Sequence, residues 1–166
     1  AKLAVPLDSR TGVIRTQEAA IGNLIADALR ASTGAQLAIT NAGGIRANKQ
    51  YAAGTMLTRR DVLSELPFGN ATAMVEITGK DVKDALENGL SPAPQGSGKF
   101  PVIAGMKLEA DLKQPVGARV TALALSDGTP IDPAGKYTVA TNNFMLEGGD
   151  GYTALGRGKT LLGVTD

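Results

Sequence analysis

Between residues 18 and 33 the apolar side chains Ile21, Leu24, Ile25, Ala28 and Leu29 recur every three or four positions, and Gly34 follows them. That spacing gathers them into one stripe of a helix, and a glycine just past the stripe is a stop. The pattern then changes. Gln36 to Thr40, with Leu37, Ala38 and Ile39 in succession, predicts a short buried strand that feeds a loop at Asn41. Thr58 with Asp61 three residues on predicts a capped helix through about Leu66, ended by Pro67. Ala71 to Ile77 reads as a strand. Thr78-Gly79-Lys80-Asp81 caps a third helix, with Val82, Ala85 and Leu86 on its inner face and Gly89 at its end. Strands are expected near 101–110 and 118–125, then an Asp127-Gly128 turn, and again from Tyr137 to Thr141. Ser91 to Gly98 is rich in Pro, Gly and Ser. It reads as a surface excursion rather than a domain linker, because strand-like sequence resumes at once. Helices mixed irregularly with hairpin-like strands predict an α+β fold, one compact domain over residues 1–166 with a mixed sheet and packed helices.

Composition narrows the chemistry. A chain of 166 residues suits one domain with its own core. Apolar content of 43%, charged content of 20% and a net charge of +1 describe a globular protein with no electrostatic case for binding a nucleic-acid polymer. No apolar run approaches the ~20 residues that cross a bilayer, so no membrane partner is expected. The chain has neither Cys nor His. That removes disulfides, thiolate nucleophiles, Cys/His zinc sites, Ser-His-Asp triads and imidazole acid-base chemistry. Asp and Glu remain as metal ligands, but none has EF-hand spacing, and no cofactor or metal is expected here. By this reckoning the chain is a poor candidate for a complete hydrolase. It opens Ala1-Lys2-Leu3 without Met or a signal-like stretch, which fits a mature product or an excised domain.

Candidate binding groups fall in three loops. Phe68 lies in Leu66-Pro67-Phe68-Gly69-Asn70, and Phe144 lies in Asn142-Asn143-Phe144 ahead of Gly148-Gly149-Asp150-Gly151. Asn41-Ala42-Gly43-Gly44-Ile45-Arg46 adds an amide and a guanidinium. Loops on a rigid scaffold are favoured places for binding groups. Two flat rings with Asn, Arg and Asp in the same kind of loop suit a planar, polar ligand such as a nucleobase on a phosphorylated sugar. Each residue also has an ordinary reading. Phe commonly folds back to anchor a loop, Asn41 and Asn70 suit turns, Arg46 suits an exposed turn exit, and Gly-Asp-Gly is a common turn. Phe100 reads as a core residue at a strand entry. Asp27 and Arg30 read as capping or surface charges, and the Asn70-Ala71-Thr72 sequon as chance.

Taken in order, these segments resemble the C-terminal domain of the 5′-nucleotidase family, which includes UDP-sugar hydrolases and 2′,3′-cyclic phosphodiesterases. The resemblance rests on Ile21-Gly22-Asn23-Leu24-Ile25-Ala26-Asp27, Asn41-Ala42-Gly43-Gly44-Ile45-Arg46 and Leu66-Pro67-Phe68-Gly69-Asn70. It continues through Ile77-Thr78-Gly79, Leu86-Glu87, Tyr137 to Asn142, and Asn143-Phe144 with Gly148-Gly149-Asp150-Gly151-Tyr152. It implies that Phe68 and Phe144 sandwich the base, with Asn41 and Asn70 at the base edge. It implies Arg46 on phosphate or ribose, with Gly44 beside it, Arg15 as a second arginine, and Asp150 on the ribose hydroxyls. Arg10 is a third arginine whose spacing is off by about one residue. One departure is Ala42, where many relatives have Gly. The resemblance further implies a substrate-recognition half of an enzyme outside the cytoplasm, periplasmic or extracellular. Its partner would be an N-terminal metallophosphatase domain of the same parent chain, holding two divalent metal ions. Two other readings stay open: recognition of a nucleotide sugar or cyclic nucleotide, and a non-catalytic scaffold or interaction module.

Overall fold

A computed structural model describes residues 1–162, so the last four residues of the expected domain lie outside it. The order of elements is β1 (Leu7–Asp8), α1 (Thr11–Ile14), α2 (Ala20–Thr33), β2 (Leu37–Asn41), β3 (Gln50–Tyr51), α3 (Arg59–Glu65) and β4 (Thr72–Thr78). Then follow α4 (Gly79–Leu90), β5 (Pro101–Ala104), β6 (Met106–Ala110), β7 (Val120–Leu125), β8 (Lys136–Asn142), α5 (Asn143–Leu146) and β9 (Lys159–Leu162). Five strands form one mixed sheet in the order β5-β2-β8-β4-β9, with β2 and β8 parallel and the other pairs antiparallel. Two small pairs, β1 with β3 and β6 with β7, flank it. The arrangement is a single compact α+β domain.

Side-chain alternation splits the core in two. Leu37 and Ile39 of β2, Val75 and Ile77 of β4, and Val139 of β8 point to one face, where Val82, Ala85 and Leu86 of α4 cover them. Ala38 and Ala140 point to the other face, under Ile21 and Ala26 of α2. Each fully buried aliphatic side chain contributes about 1.5–3 kcal/mol relative to exposure. The small residues on the α2 face let that helix come close. A methyl on Gly22 would meet Val102 at 2.9 Å. Phe100 packs against both clusters, which makes it the strand-entry core residue expected.

The predicted caps are present. Thr58 and Thr78 each accept from the backbone N–H three residues on, and Asp61 and Asp81 reciprocate, closing two capping boxes. Gly34 ends α2 in the left-handed region, at φ 71°. The sequence departs from expectation at 101–110, where two strands replace one. Gly105 turns between them at φ 79°, a conformation in which a Cβ would collide with the Gln36 carbonyl. β5 therefore joins the main sheet, while β6 leaves to pair with β7.

This topology brings four loops to one end of the sheet. Parallel neighbours β2 and β8 finish side by side at Asn41 and Asn142. Antiparallel β4 starts opposite Asn142, at Thr72, and antiparallel β5 starts opposite Asn41, at Pro101. The segments that follow β2 and β8, and those that precede β4 and β5, therefore converge. Ligand sites of α/β sheets commonly lie outside the carboxyl ends of parallel strands.

Candidate functional site

The convergence forms a cavity of about 410 Å³ lined by Arg15, Asn41, Gly43, Gly44, Arg46, Phe68, Asn70, Gly98, Phe144 and Asp150. All eight residues singled out from the sequence line it. Its size lies within the range of small-molecule sites. Phe68 and Phe144 are 59% and 42% exposed, so neither ring folds into a core cluster to anchor its loop. Arg10 lies elsewhere. Its guanidinium grips Asp8 at 2.7 Å, and that hydrogen bond pulls the Asp8 carboxyl down to about 2.

Each ring is held by identifiable contacts. Phe68 follows α3 after Pro67, and Arg46 lies over it with its guanidinium carbon 5.5 Å from the ring centre. Buried Glu65, at the end of α3, sets that approach. Its backbone carbonyl accepts from Arg46 N at 2.8 Å, and its carboxylate accepts from Ala47 N at 3.2 Å and Tyr51 Oη at 2.7 Å. Desolvation, with the Glu65 hydrogen bond, raises the Tyr51 phenol to about 12. Phe144 lies on α5, which Asn142 caps by accepting from Met145 N at 2.9 Å. The Phe144 ring and carbonyl lie against Gly149, leaving no room there for a Cβ. Asn143 joins the two aromatic loops: its backbone N donates to Ala71 O, and its Oδ1 accepts from Ala71 N, both at 3.0 Å.

The polar side of the cavity is similarly fixed. Asp150 adopts φ 55°, unusual for a residue other than glycine, and its carbonyl accepts from Asn88 Nδ2 at 3.1 Å. Its carboxylate accepts from Asn41 Nδ2 at 2.7 Å. Asn41 is buried, and its amide donates one of its two N–H groups to Asp150. Arg15 is half-buried, and its Nε is enclosed without a hydrogen-bond partner among the described residues. A buried donor of that kind is costly unless something accepts from it. The 91–98 segment does more than cross the surface. Gly98 O accepts from Gly43 N at 2.7 Å, and the Gly98 backbone forms part of the wall.

Sequence reasoning missed Gly98 as a wall residue and Glu65, Asn88, Asn142 and Asn143 as supports. The Asn142-Asn143 pair after a strand and before a short helix carries a cap signal. Gly98 carries none, because its contribution is backbone. Among the described residues no cluster of three or more Asp, Glu, His or Cys could hold a metal.

A family model described as "5′-nucleotidase, C-terminal domain" matches residues 1–157. The chain is 41% identical over 157 residues to the trifunctional nucleotide phosphoesterase protein YfkN of Bacillus subtilis, covering 90% of this chain and 10% of that protein. It is 30% identical over 172 residues to the snake venom 5′-nucleotidase of Macrovipera lebetinus, covering 93% of this chain and 42% of that one. The crystal structure of a 5′-nucleotidase precursor from Thermus thermophilus superposes with a TM-score of 0.89 at 35% identity, over 98% of this chain and 33% of that one. The chain thus spans less than half the length of each of these relatives.

Proposed function

The chain belongs to the 5′-nucleotidase C-terminal domain family, and from that premise we propose that it is the recognition half of a nucleotide-hydrolysing enzyme. It grips the nucleoside and proximal phosphate and presents the scissile ester to a metallophosphatase domain of the same parent chain. The observation that carries this reading is the convergence of two exposed phenyl rings, two arginines and a carboxylate on one cavity of about 410 Å³. Phe68 and Phe144 stack the base, worth about 1–3 kcal/mol per contact. Asn70 and the second N–H of Asn41 face its edge. The planar forks of Arg46 and Arg15 take phosphate oxygens, which gives the enclosed Arg15 Nε its acceptor. Asp150 accepts from ribose hydroxyls.

The part this chain plays in catalysis is positional. Holding the nucleoside in one orientation converts a bimolecular encounter into a pre-arranged one at the partner's metals. Two divalent ions and the attacking water belong to that partner, which also sets the reaction. A setting outside the cytoplasm belongs to the same reading and is favoured by a venom enzyme among the relatives. Fractionation of the source cells checks it. Stacking tolerates several bases, so the same cavity serves a nucleotide sugar or cyclic nucleotide if the partner supplies the matching chemistry.

Calorimetric titration of the chain with AMP tests the proposal. Phe68→Ala with Phe144→Ala is expected to weaken binding by up to roughly 2–6 kcal/mol, the sum of two stacking contacts and an upper bound because neighbours are not additive. Affinity unchanged in the double variant would remove the sandwich. An assay of AMP hydrolysis by this chain with divalent metals is expected to show no turnover. Robust turnover would overturn the recognition-half assignment.

A further inference from the structure

Asn142 lies at the carboxyl end of β8, nine-tenths buried; it lines not the cavity of about 410 Å³ but a smaller one of about 100 Å³ that shares Asn41, Gly44, Phe68 and Asn70 with it. Its amide is used at both ends. Oδ1 accepts from Met145 N at 2.9 Å and starts the helical turn that bears Phe144. Nδ2 donates to Thr40 Oγ1 at 3.2 Å and to Asn41 Oδ1 at 3.3 Å. An asparagine amide has one oxygen and one nitrogen end, so a donor on Asn41 Oδ1 decides which way that amide faces. With its oxygen turned to Asn142, Asn41 must turn its nitrogen to Asp150, where it donates at 2.7 Å. Asn142 and Asp150 thus hold the Asn41 amide from its two ends, and an acceptor in place of the Asn142 donor would repel Asn41 Oδ1 and set the amide against its contact with Asp150.

Resting on the assignment of Asp150 to the ribose hydroxyls, we infer that Asn142 is a positioning residue for sugar recognition. It orients the Asp150 carboxylate through Asn41 while separately anchoring the Phe144 turn. Base stacking and ribose recognition therefore share one buried amide. The nitrogen end governs discrimination between ribose and a sugar lacking its hydroxyls, and the oxygen end governs stacking.

Asn142→Asp separates the two ends. The carboxylate still accepts from Met145 N and keeps the cap, but it cannot donate to Asn41 Oδ1. The experiment compares Kd for adenosine and for 2′,3′-dideoxyadenosine by NMR titration of the unaltered chain and of Asn142→Asp. The unaltered chain is expected to prefer adenosine by about tenfold or more, the scale of a hydrogen bond to a charged group. In Asn142→Asp that preference is expected to fall to near unity, with affinity for the dideoxy analogue unchanged. A preserved preference overturns the inference, whether or not both affinities drop together. An unaltered chain that binds both nucleosides equally defeats the ribose role of Asp150 itself, a separate result read before the variant is made. If Asn142→Asp does not fold, the Asn142 side-chain amide resonances of the unaltered chain decide. They are expected to shift with adenosine and not with the dideoxy analogue, and silence toward both overturns the relay.

Discussion

At the scale of single residues, the cavity depends on positions where one atom more would displace a binding group. Gly149 is the clearest. Phe144 lies so close that any Cβ there collides with its ring and carbonyl. Gly149→Ala is therefore expected to swing Phe144 out of place and to weaken AMP binding by about 1–3 kcal/mol, one stacking contact. Titration checks the loss, and a crystal structure of the variant shows the ring. An unmoved ring with unchanged affinity would contradict the argument. Residue identity made much of this site legible in advance. Two rings at loop positions, with Asn, Arg and Asp nearby, marked Phe68, Phe144, Asn41, Asn70, Arg46 and Asp150, while Arg15 was implied only by the family resemblance. What stayed hidden was contact made by backbone or by buried amides. Gly98 contributes a carbonyl, and Asn142 acts through Asn41. Neither partnership follows from spacing along the chain, since Asn41 and Asn142 stand 101 positions apart.

At the scale of elements, local signals predicted local structure, and long-range pairing decided the rest. The Thr58 and Thr78 caps were readable because the interaction spans three residues. The division of 101–110 was not, because the choice at Gly105 depends on which distant strand each half meets. Strand β9 and the β1–β3 pair escaped notice for the same reason, being too short to show a period of their own. Helix α3 bears directly on the cavity, since it carries Glu65 and leads into Phe68. Thr58→Ala is expected to cost about 1 kcal/mol in chemical denaturation, the usual value of a lost cap. The cap also links to pH. The Lys49 ammonium, then Thr58, hold the Asp61 carboxyl well below the usual range. A carboxyl lowered by folding stabilises above the ordinary aspartate value of about 4 and loses that contribution as pH falls below it. Lys49→Met is thus expected to narrow the gap between thermal midpoints at neutral and acid pH. An unchanged gap would show that this pair contributes nothing measurable.

For the molecule as a whole, topology does what no segment could do alone. Two parallel strands end together, and two antiparallel neighbours begin beside them, so four loops far apart in sequence meet over one cavity. The family match covers residues 1–157, while the chain covers only part of each relative. A second concavity of about 490 Å³ runs along β5 between α2 and β6 and holds no ring pair or arginine. It is the natural alternative seat for a small molecule. A crystal structure of this chain soaked with AMP separates the two most directly. The expected result is an adenine between Phe68 and Phe144, its phosphate at Arg15 and Arg46 and its ribose on Asp150. An AMP found along β5, or with its base outside the two rings, would contradict the account.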